Sequence, residues 1–197
     1  MFMKYILVIV LTVVVMGAAF FGYSYINDDS NSSDVTDTST STTEPQKVTG
    51  AGVLDLSGQG ITEVNSDIYG KTGTTQLVLS NNSIKTLPSQ MGKMTKLTLF
   101  KIDHNLLEGS LIGEIRQMSQ LKTLDVSYNN MTGMPAEIGQ LSKLETLNYS
   151  YNNIDGLPNE LGNLKNNLKE FNLTGNPLSA EKITNLKASL PNTNIIF

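Results

Sequence analysis

One stretch of this chain occurs twice, almost letter for letter. Residues 121–135 spell LKTLDVSYNNMTGMP, and residues 144–158 spell LETLNYSYNNIDGLP. Such self-similarity at a fixed distance indicates that one small structural unit is built repeatedly, and that each unit buries its apolar face against the next. The repeats must therefore be located before any helix or strand is assigned.

Six copies align on the pattern LxxLxLxxNxL, and successive copies are 23 or 24 residues apart. The first strand position holds Leu54, Leu77, Phe100, Leu124, Leu147 and Phe171. The apolar position two residues later holds Leu56, Leu79, Ile102, Val126, Tyr149 and Leu173. The asparagine position holds Gln59 in the first copy and then Asn82, Asn105, Asn129, Asn152 and Asn176.

Each letter of the pattern has a physical reason. The Leu-x-Leu alternation places two side chains on one face of a short strand and the residues between them on the other face. The asparagine follows where the chain turns and backbone groups lose their sheet partners. Because its amide offers both donors and an acceptor, we expect the five asparagines to form a hydrogen-bonded ladder through the stack.

This pattern resembles the leucine-rich repeat family over residues 51–178. The resemblance implies an α/β fold: a leucine-rich repeat solenoid, with a curved parallel sheet and short helical or 3-10 turns on its outer face. Pro88, Pro135 and Pro158 are expected to start such turns, and Gly92 and Gly139, with Gly162, to stop them. The third copy, LLEGSLIGEI, is similar to plant-type repeats and the Leu-Pro copies to the typical variant, which leaves the subfamily open.

Residues 179–197 depart from the repeat. Ser179 is a suitable N-cap, Ile183, Leu186 and Leu190 fall on one helical face, and a proline follows. We expect a helix and a final strand that together shield the C-terminal end of the core.

Residues 1–26 are predicted to form a transmembrane signal anchor. Residues 5–26 carry no charge and are long enough to cross a hydrocarbon core of about 30 Å. A cleaved signal peptide is the alternative, with a small-residue site at residues 17–19. Either way we expect the repeats to be extracytoplasmic, on a single-pass membrane protein or on a secreted one. The Ser/Thr/Asp-rich residues 27–50 are predicted to be a disordered linker, because they contain too few apolar side chains to form a core.

Composition excludes several classes of function. The chain has no cysteine, so disulfides and cysteine-based zinc sites are ruled out. From residue 51 onward there are 12 Lys and Arg against 13 Asp and Glu, which predicts no basic stripe and no nucleic-acid partner. No catalytic motif, cofactor-binding motif or set of metal ligands at suitable spacing is present. The prediction is therefore a non-enzymatic protein without a cofactor.

The candidate site is the concave face of the sheet, where the residues between the leucines are displayed. Exposed tyrosines among a few charges are typical of protein contact sites. The alternative is that Tyr128 and Tyr151 are scaffold, each packing along its neighbour. The candidate residues are Lys101, Asp103, His104, Asp125, Tyr128, Asn148 and Tyr151.

These observations together predict a short leucine-rich repeat protein, bacterial- or plant-like, that is membrane-anchored and binds a protein or peptide. The alternative function is a structural scaffold of the cell envelope that contacts glycan.

Overall fold

The computed structural model describes residues 51–197, and the predicted anchor and linker lie outside these residues. Nine short strands follow one another, β1 to β9: Val53–Asp55, Gln76–Val78, Leu99–Lys101, Glu108–Gly109, Thr123–Asp125, Asn130–Met131, Thr146–Asn148, Glu170–Asn172 and Asn194–Ile196. Seven of them form one parallel sheet in the order β1-β2-β3-β5-β7-β8-β9. The predicted parallel sheet of a repeat solenoid is confirmed.

The sheet is in register with the sequence repeat. The first strand position of each copy pairs with the same position of the next, as in Leu77 with Phe100 and Phe100 with Leu124. The apolar residues at this position and two residues later point to the same side and are at most 5% exposed. A continuous core therefore runs through the stack, and each copy is covered by its neighbours.

Short 3-10 turns form the layer opposite the sheet. They span Ser89–Lys93, Gly113–Gln117, Ala136–Gln140 and Asn159–Leu164, and Pro88, Pro135 and Pro158 directly precede three of them in extended conformation. The turn of the third repeat, Gly113–Gln117, lacks a proline, yet Ile115 and Met118 are fully buried there. The apolar spacing alone thus suffices to direct the turn inward.

Gly92, Gly139 and Gly162 were predicted to stop these turns, but all three lie within them. A Cβ atom added to Gly139 would overlap the carbonyl oxygen of Glu160 and stand 2.7 Å from its carbonyl carbon. At Gly92 an added Cβ would stand 2.6 Å from the Gln117 side-chain oxygen. Glycine is required at Gly139 because the backbone of the next repeat approaches it closely, whereas at Gly92 the nearest atom is the end of a flexible side chain.

Two α-helices occupy the ends of the described chain. The helix α1, Ser66–Tyr69, lies in the first repeat, and the Asn65 side chain caps it. The helix α2, Ala180–Ser189, is capped by the Ser179 side chain and buries Leu186. It contacts the last 3-10 turn, and β9 adds the final strand to the sheet. No helix within residues 51–197 is long and apolar enough to cross a membrane.

A second, two-stranded parallel sheet was not predicted. It pairs β4 with β6, on the stretch of chain that follows the asparagine turn in the third and fourth repeats. The third repeat is one residue longer than its neighbours, and Gly109 adopts a positive φ of 67° there. The variant sequence LLEGS in this repeat was the feature from which the additional strand could have been predicted.

One core position holds a polar atom without a partner. Tyr149 replaces the aliphatic residue of the other copies, its side chain is fully buried, and its hydroxyl has no hydrogen-bond partner among the described residues. Burial raises the pKa of this hydroxyl above its ordinary value. The aromatic ring fills the core, while the hydroxyl lowers stability.

The Gly139→Ala substitution is expected to lower the free energy of unfolding by about 1–3 kcal/mol, because the new methyl group would overlap a backbone that cannot yield easily. Gly156→Ala is the matched control, since nothing lies within 4 Å of a Cβ added there. Its stability should remain equal or rise slightly. Chemical denaturation of both variants measures the difference, and equal stabilities would contradict the close-approach argument.

The Tyr149→Phe substitution is expected to raise the free energy of unfolding by about 1–2 kcal/mol at neutral pH, because it removes the unpartnered hydroxyl. Above pH ~10 the unfolded chain releases a tyrosine proton that folded Tyr149 retains, so native stability must fall there as pH rises. This decline should be shallower in the variant. Denaturation at neutral pH and near pH 11 measures both effects, and Tyr69→Phe, at a half-buried tyrosine, is the control.

Candidate functional site

The asparagine side chains are the internal support of the candidate site. Asn129 donates from Nδ2 to the carbonyl oxygens of Ile102 and Val126, at 3.0 and 3.1 Å. Its Oδ1 accepts from the backbone N–H of Leu107 at 2.9 Å. The same pattern of bonds is found at Asn82, Asn105, Asn152 and Asn176. Each amide therefore joins the turn of its own repeat to the preceding repeat.

Asp125 and Asn148, two of the predicted binding residues, are engaged in local bonds. The Asp125 Oδ1 atom accepts from the backbone N–H and the hydroxyl of Ser127, at 3.1 and 2.7 Å. Asn148 holds Ser150 in the same way, at 3.1 and 2.8 Å. These side chains fix the end of each strand, and only their outward atoms remain for a partner.

The third repeat breaks this pattern, because Lys101 and Asp103 take the places of the acceptor and the serine. Asp103 instead accepts a hydrogen bond at 2.5 Å from the hydroxyl of Ser80 in the preceding repeat. Its second oxygen lies 2.9 Å from Nδ1 of His104. Within residues 51–197 no ion pair links Lys101 to Asp103, so the Lys101 ammonium group is available on the sheet face.

His104, Tyr128 and Tyr151 form a stacked aromatic column across three adjacent repeats. The ring centroids of His104 and Tyr128 are 4.3 Å apart and those of Tyr128 and Tyr151 are 4.4 Å apart, with interplanar angles of 15° and 19°. Tyr128 and Tyr151 nevertheless remain 44% and 47% exposed. The tyrosines thus pack along their neighbours, as the scaffold alternative predicted, and still present a surface to solvent.

The backbone of the aromatic column is in the left-handed region. The φ angles of His104, Tyr128 and Tyr151 are 52°, 52° and 53°, and the equivalent Asn81 has 58°. Glycine and asparagine tolerate this conformation, whereas a bulky side chain there is unusual and costs about 1–2 kcal/mol. Stacking stabilises each ring pair by about 0.5–1.5 kcal/mol, which offsets only part of this backbone strain.

The ring faces in the aromatic column are largely covered. Tyr128 lies between two rings, and the far face of Tyr151 lies against Gly175, where an added Cβ would stand 2.8 Å from the tyrosine Cδ1. Ring edges and polar tips are therefore what the column presents to solvent. Loss of hydration in the stack raises the pKa of the Tyr128 hydroxyl, and the adjacent Tyr151 hydroxyl raises it further.

Lys101, Asp125 and Asn148 are cross-strand neighbours at the ends of three adjacent strands. The aromatic column lies in the turns that follow these strands, and Asp103 is linked to it through His104. Sequence analysis missed Ser80, which holds Asp103, and Gly175, which closes the column. Among residues 51–197, no cluster of three or more His, Asp or Glu side chains could hold a metal ion.

An in-register parallel sheet, an asparagine-supported turn in five of the six copies and a 3-10 layer on the opposite side define a coil of stacked repeats, a solenoid repeat protein. Within that class, the strand pattern and its asparagine position show that the chain is a leucine-rich repeat protein. A family model described as "Leucine rich repeat" matches residues 116–178. No curated protein matches the chain by sequence.

Solved structures agree on the fold. A leucine-rich repeat protein of Leptospira interrogans is 27% identical, with a TM-score of 0.56 over 70% of this chain and 40% of that one. An internalin, inlF, of Listeria monocytogenes is 26% identical, with a TM-score of 0.59 over 69% and 38%.

The ectodomain of the Arabidopsis thaliana membrane receptor kinase GASSHO1/SCHENGEN3, in complex with CASPARIAN STRIP INTEGRITY FACTOR 2, is 32% identical, with a TM-score of 0.60 over 73% of this chain and 17% of that one. The chain thus spans less than half the length of each of these three proteins.

Proposed function

We propose that the protein is a non-enzymatic recognition module that binds a protein or peptide partner through the aromatic column and the adjoining sheet face. The observation that carries this proposal is that three adjacent aromatic residues occupy a strained backbone conformation while their side chains stay about half exposed. Strain at an exposed position adds nothing to the core, and such outliers cluster at functional sites.

The chemistry of the column favours a polypeptide over a glycan. Aromatic rings bind sugars through their open faces, but both faces of Tyr128 are stacked on neighbouring rings, and Gly175 lies against the Cδ1 and Cε1 atoms of Tyr151. The exposed edges and hydroxyl groups suit the mixed apolar and polar contacts of protein interfaces, where tyrosine is enriched. The receptor ectodomain described above, which is solved with a bound partner, supports binding of this kind for the fold.

Lys101, Asp103 and His104 are proposed to add specificity beside the column. The Asp103 carboxylate is oriented by Ser80 and His104, while the Lys101 ammonium group has no ion pair within the described residues. Charged groups of this kind at the rim of a contact site select among partners and orient them. The candidate site therefore combines a rigid aromatic element with one oriented anion and one available cation.

We also propose that the repeats face the extracytoplasmic side, tethered through residues 5–26. The uncharged run of 22 residues and the polar linker after it support this location. Mass spectrometry of the mature protein should find the N-terminal residues still present. A mature terminus near residue 20 would instead establish a secreted protein.

The double variant Tyr128→Asn with Tyr151→Asn is expected to lose its partner while retaining its fold. Asparagine accepts the left-handed backbone, as Asn81 does in the second repeat, so relief of strain compensates for the lost stacking, and stability should change by no more than about 1 kcal/mol. Loss of two hot-spot tyrosines should weaken binding at least roughly tenfold. The full-length chain in detergent, used as bait with envelope extract and quantitative proteomics, measures this loss.

The matched control is Leu106→Asn, which removes a 48% exposed apolar side chain outside the column. It should capture the same partner as the unmodified chain. If the double variant is folded and captures that partner equally well, the column is not the binding site.

A further inference from the structure

The charged residues of the repeats are distributed unevenly around the stack. The near-equal numbers of basic and acidic residues predicted no basic stripe. Stacking of the repeats, however, places equivalent sequence positions in one line along the solenoid. The turns that lead from each 3-10 segment into the next strand carry exposed lysines in four successive repeats. These residues, the lysine edge, are Lys96, Lys122, Lys143, Lys165 and Lys169.

Backbone pairing shows that these turns form one continuous border of the sheet. The backbone N–H of Lys122 donates to the carbonyl oxygen of Thr98 at 2.8 Å. In the next two turns, Glu145 donates in the same way to Lys122, and Lys169 to Glu145, also at 2.8 Å. Two residues before Glu145 and Lys122 in the same turns, the Lys143 ammonium group donates a hydrogen bond to Oε1 of Gln120 at 2.5 Å. The lysines therefore follow the stacking direction, one or two to a repeat.

The lysine edge carries a clear excess of positive charge. Its turns contain five lysines and one acidic residue, Glu145, and a second, exposed acid, Glu170, follows at the first position of β8. The turns on the opposite border, after the asparagine positions, contain Glu63, Glu108 and Asp155 against Lys85 alone. The sheet thus has a basic border at the start of its strands and a mildly acidic one at their ends.

Glu145 shows which chemistry the lysine edge accommodates. Its two carboxylate oxygens lie 3.6 Å from the Lys122 ammonium nitrogen and 2.5 Å from that of Lys169. The hydrogen bond from Lys169 lowers the pKa of Glu145, so the carboxylate is ionised at neutral pH. Among the described residues, Lys96, Lys143 and Lys165 form no ion pair, and their charges remain available to a ligand.

The composition of the lysine edge favours carboxylates over phosphates and bases. It contains no arginine, the residue that binds phosphate in a bidentate manner, and Arg116 lies in the 3-10 layer beside Glu137. It contains no aromatic side chain on which a base could stack, since the aromatic column lies at the other end of the strands. Four repeats at about 4.8 Å spacing match roughly five residues of extended polypeptide.

We propose that the lysine edge is a second docking surface, separate from the aromatic column, and that it binds an acidic, extended polypeptide segment. Binding is electrostatic, it follows the stacking direction, and it weakens as salt is raised. The surface does not depend on the partner proposed for the column, and its test uses a defined probe, so failure of one proposal leaves the other standing.

The test measures binding of a fluorescent oligoglutamate of about twelve residues to the full-length chain in a non-ionic detergent at low salt. The edge variant combines Lys96→Gln, Lys143→Gln and Lys165→Gln, the three edge lysines that form no ion pair among the described residues. The control removes the same number of charges elsewhere, through Lys85→Gln, Lys182→Gln and Lys187→Gln. Circular dichroism establishes that both variants melt as the unmodified chain does.

The edge variant should bind the probe at least about tenfold more weakly, whereas the control should change by less than about threefold. The Tyr128→Asn, Tyr151→Asn variant should bind the probe normally, which separates the two surfaces. Equal losses in the edge and control variants would show a net-charge effect and overturn the proposal. Absence of oligoglutamate binding, or tighter binding of inorganic polyphosphate or of a polyuronate at equal charge, would overturn it as well.

Discussion

The buried asparagine amide is the interaction on which the rest of this structure depends. A chain that leaves a strand by a sharp turn exposes backbone donors and acceptors, and these cannot be left unpaired beside an apolar core. Each amide satisfies groups of two repeats at once, as Asn129 does for Ile102, Leu107 and Val126. Repeat spacing, strand register and the stacked leucines therefore form one cooperative unit, in which no copy is complete without its neighbour.

The same turn creates the candidate site. To bring the asparagine inward, the residue directly before it must reverse the chain, and in all six copies that residue has a positive φ. Glycine or asparagine fills the position in the first, second and last copies, where only the turn is required. His104, Tyr128 and Tyr151 fill it in the middle copies, and there the in-register stack aligns their rings. The aromatic column is thus a consequence of the scaffold geometry combined with a side-chain choice that the scaffold does not favour.

Much of the fold follows from the sequence because short-range periodicity sets the structure of each repeat, and each repeat is buried against a neighbour of similar sequence. Features that depend on distances between repeats could not be predicted. Gly139 was taken as a stop signal, since only the three-dimensional stack shows how closely Glu160 approaches it. The sequence analysis did not predict the unpaired Tyr149 hydroxyl or the β4–β6 sheet, for the same reason. For the site, the column of residues could be read from the alignment, whereas the ring stacking, and the bonds that occupy Asp125 and Asn148, required side-chain positions.

A strand of three residues places its two ends within reach of one ligand, but the chemistry of those ends differs in this protein. The ends of the strands carry rigid aromatic edges with few free charges, and such a surface contributes to affinity through dehydration and fixed geometry. The beginnings carry flexible lysines, whose field acts over a Debye length of about 8 Å at physiological salt and which therefore affect encounter and orientation. Because equivalent positions of successive repeats are in line, the aromatic column extends over three repeats and the lysine edge over four. An elongated partner would gain from each additional repeat that it covers, which is the property that separates a solenoid from a compact domain of equal size.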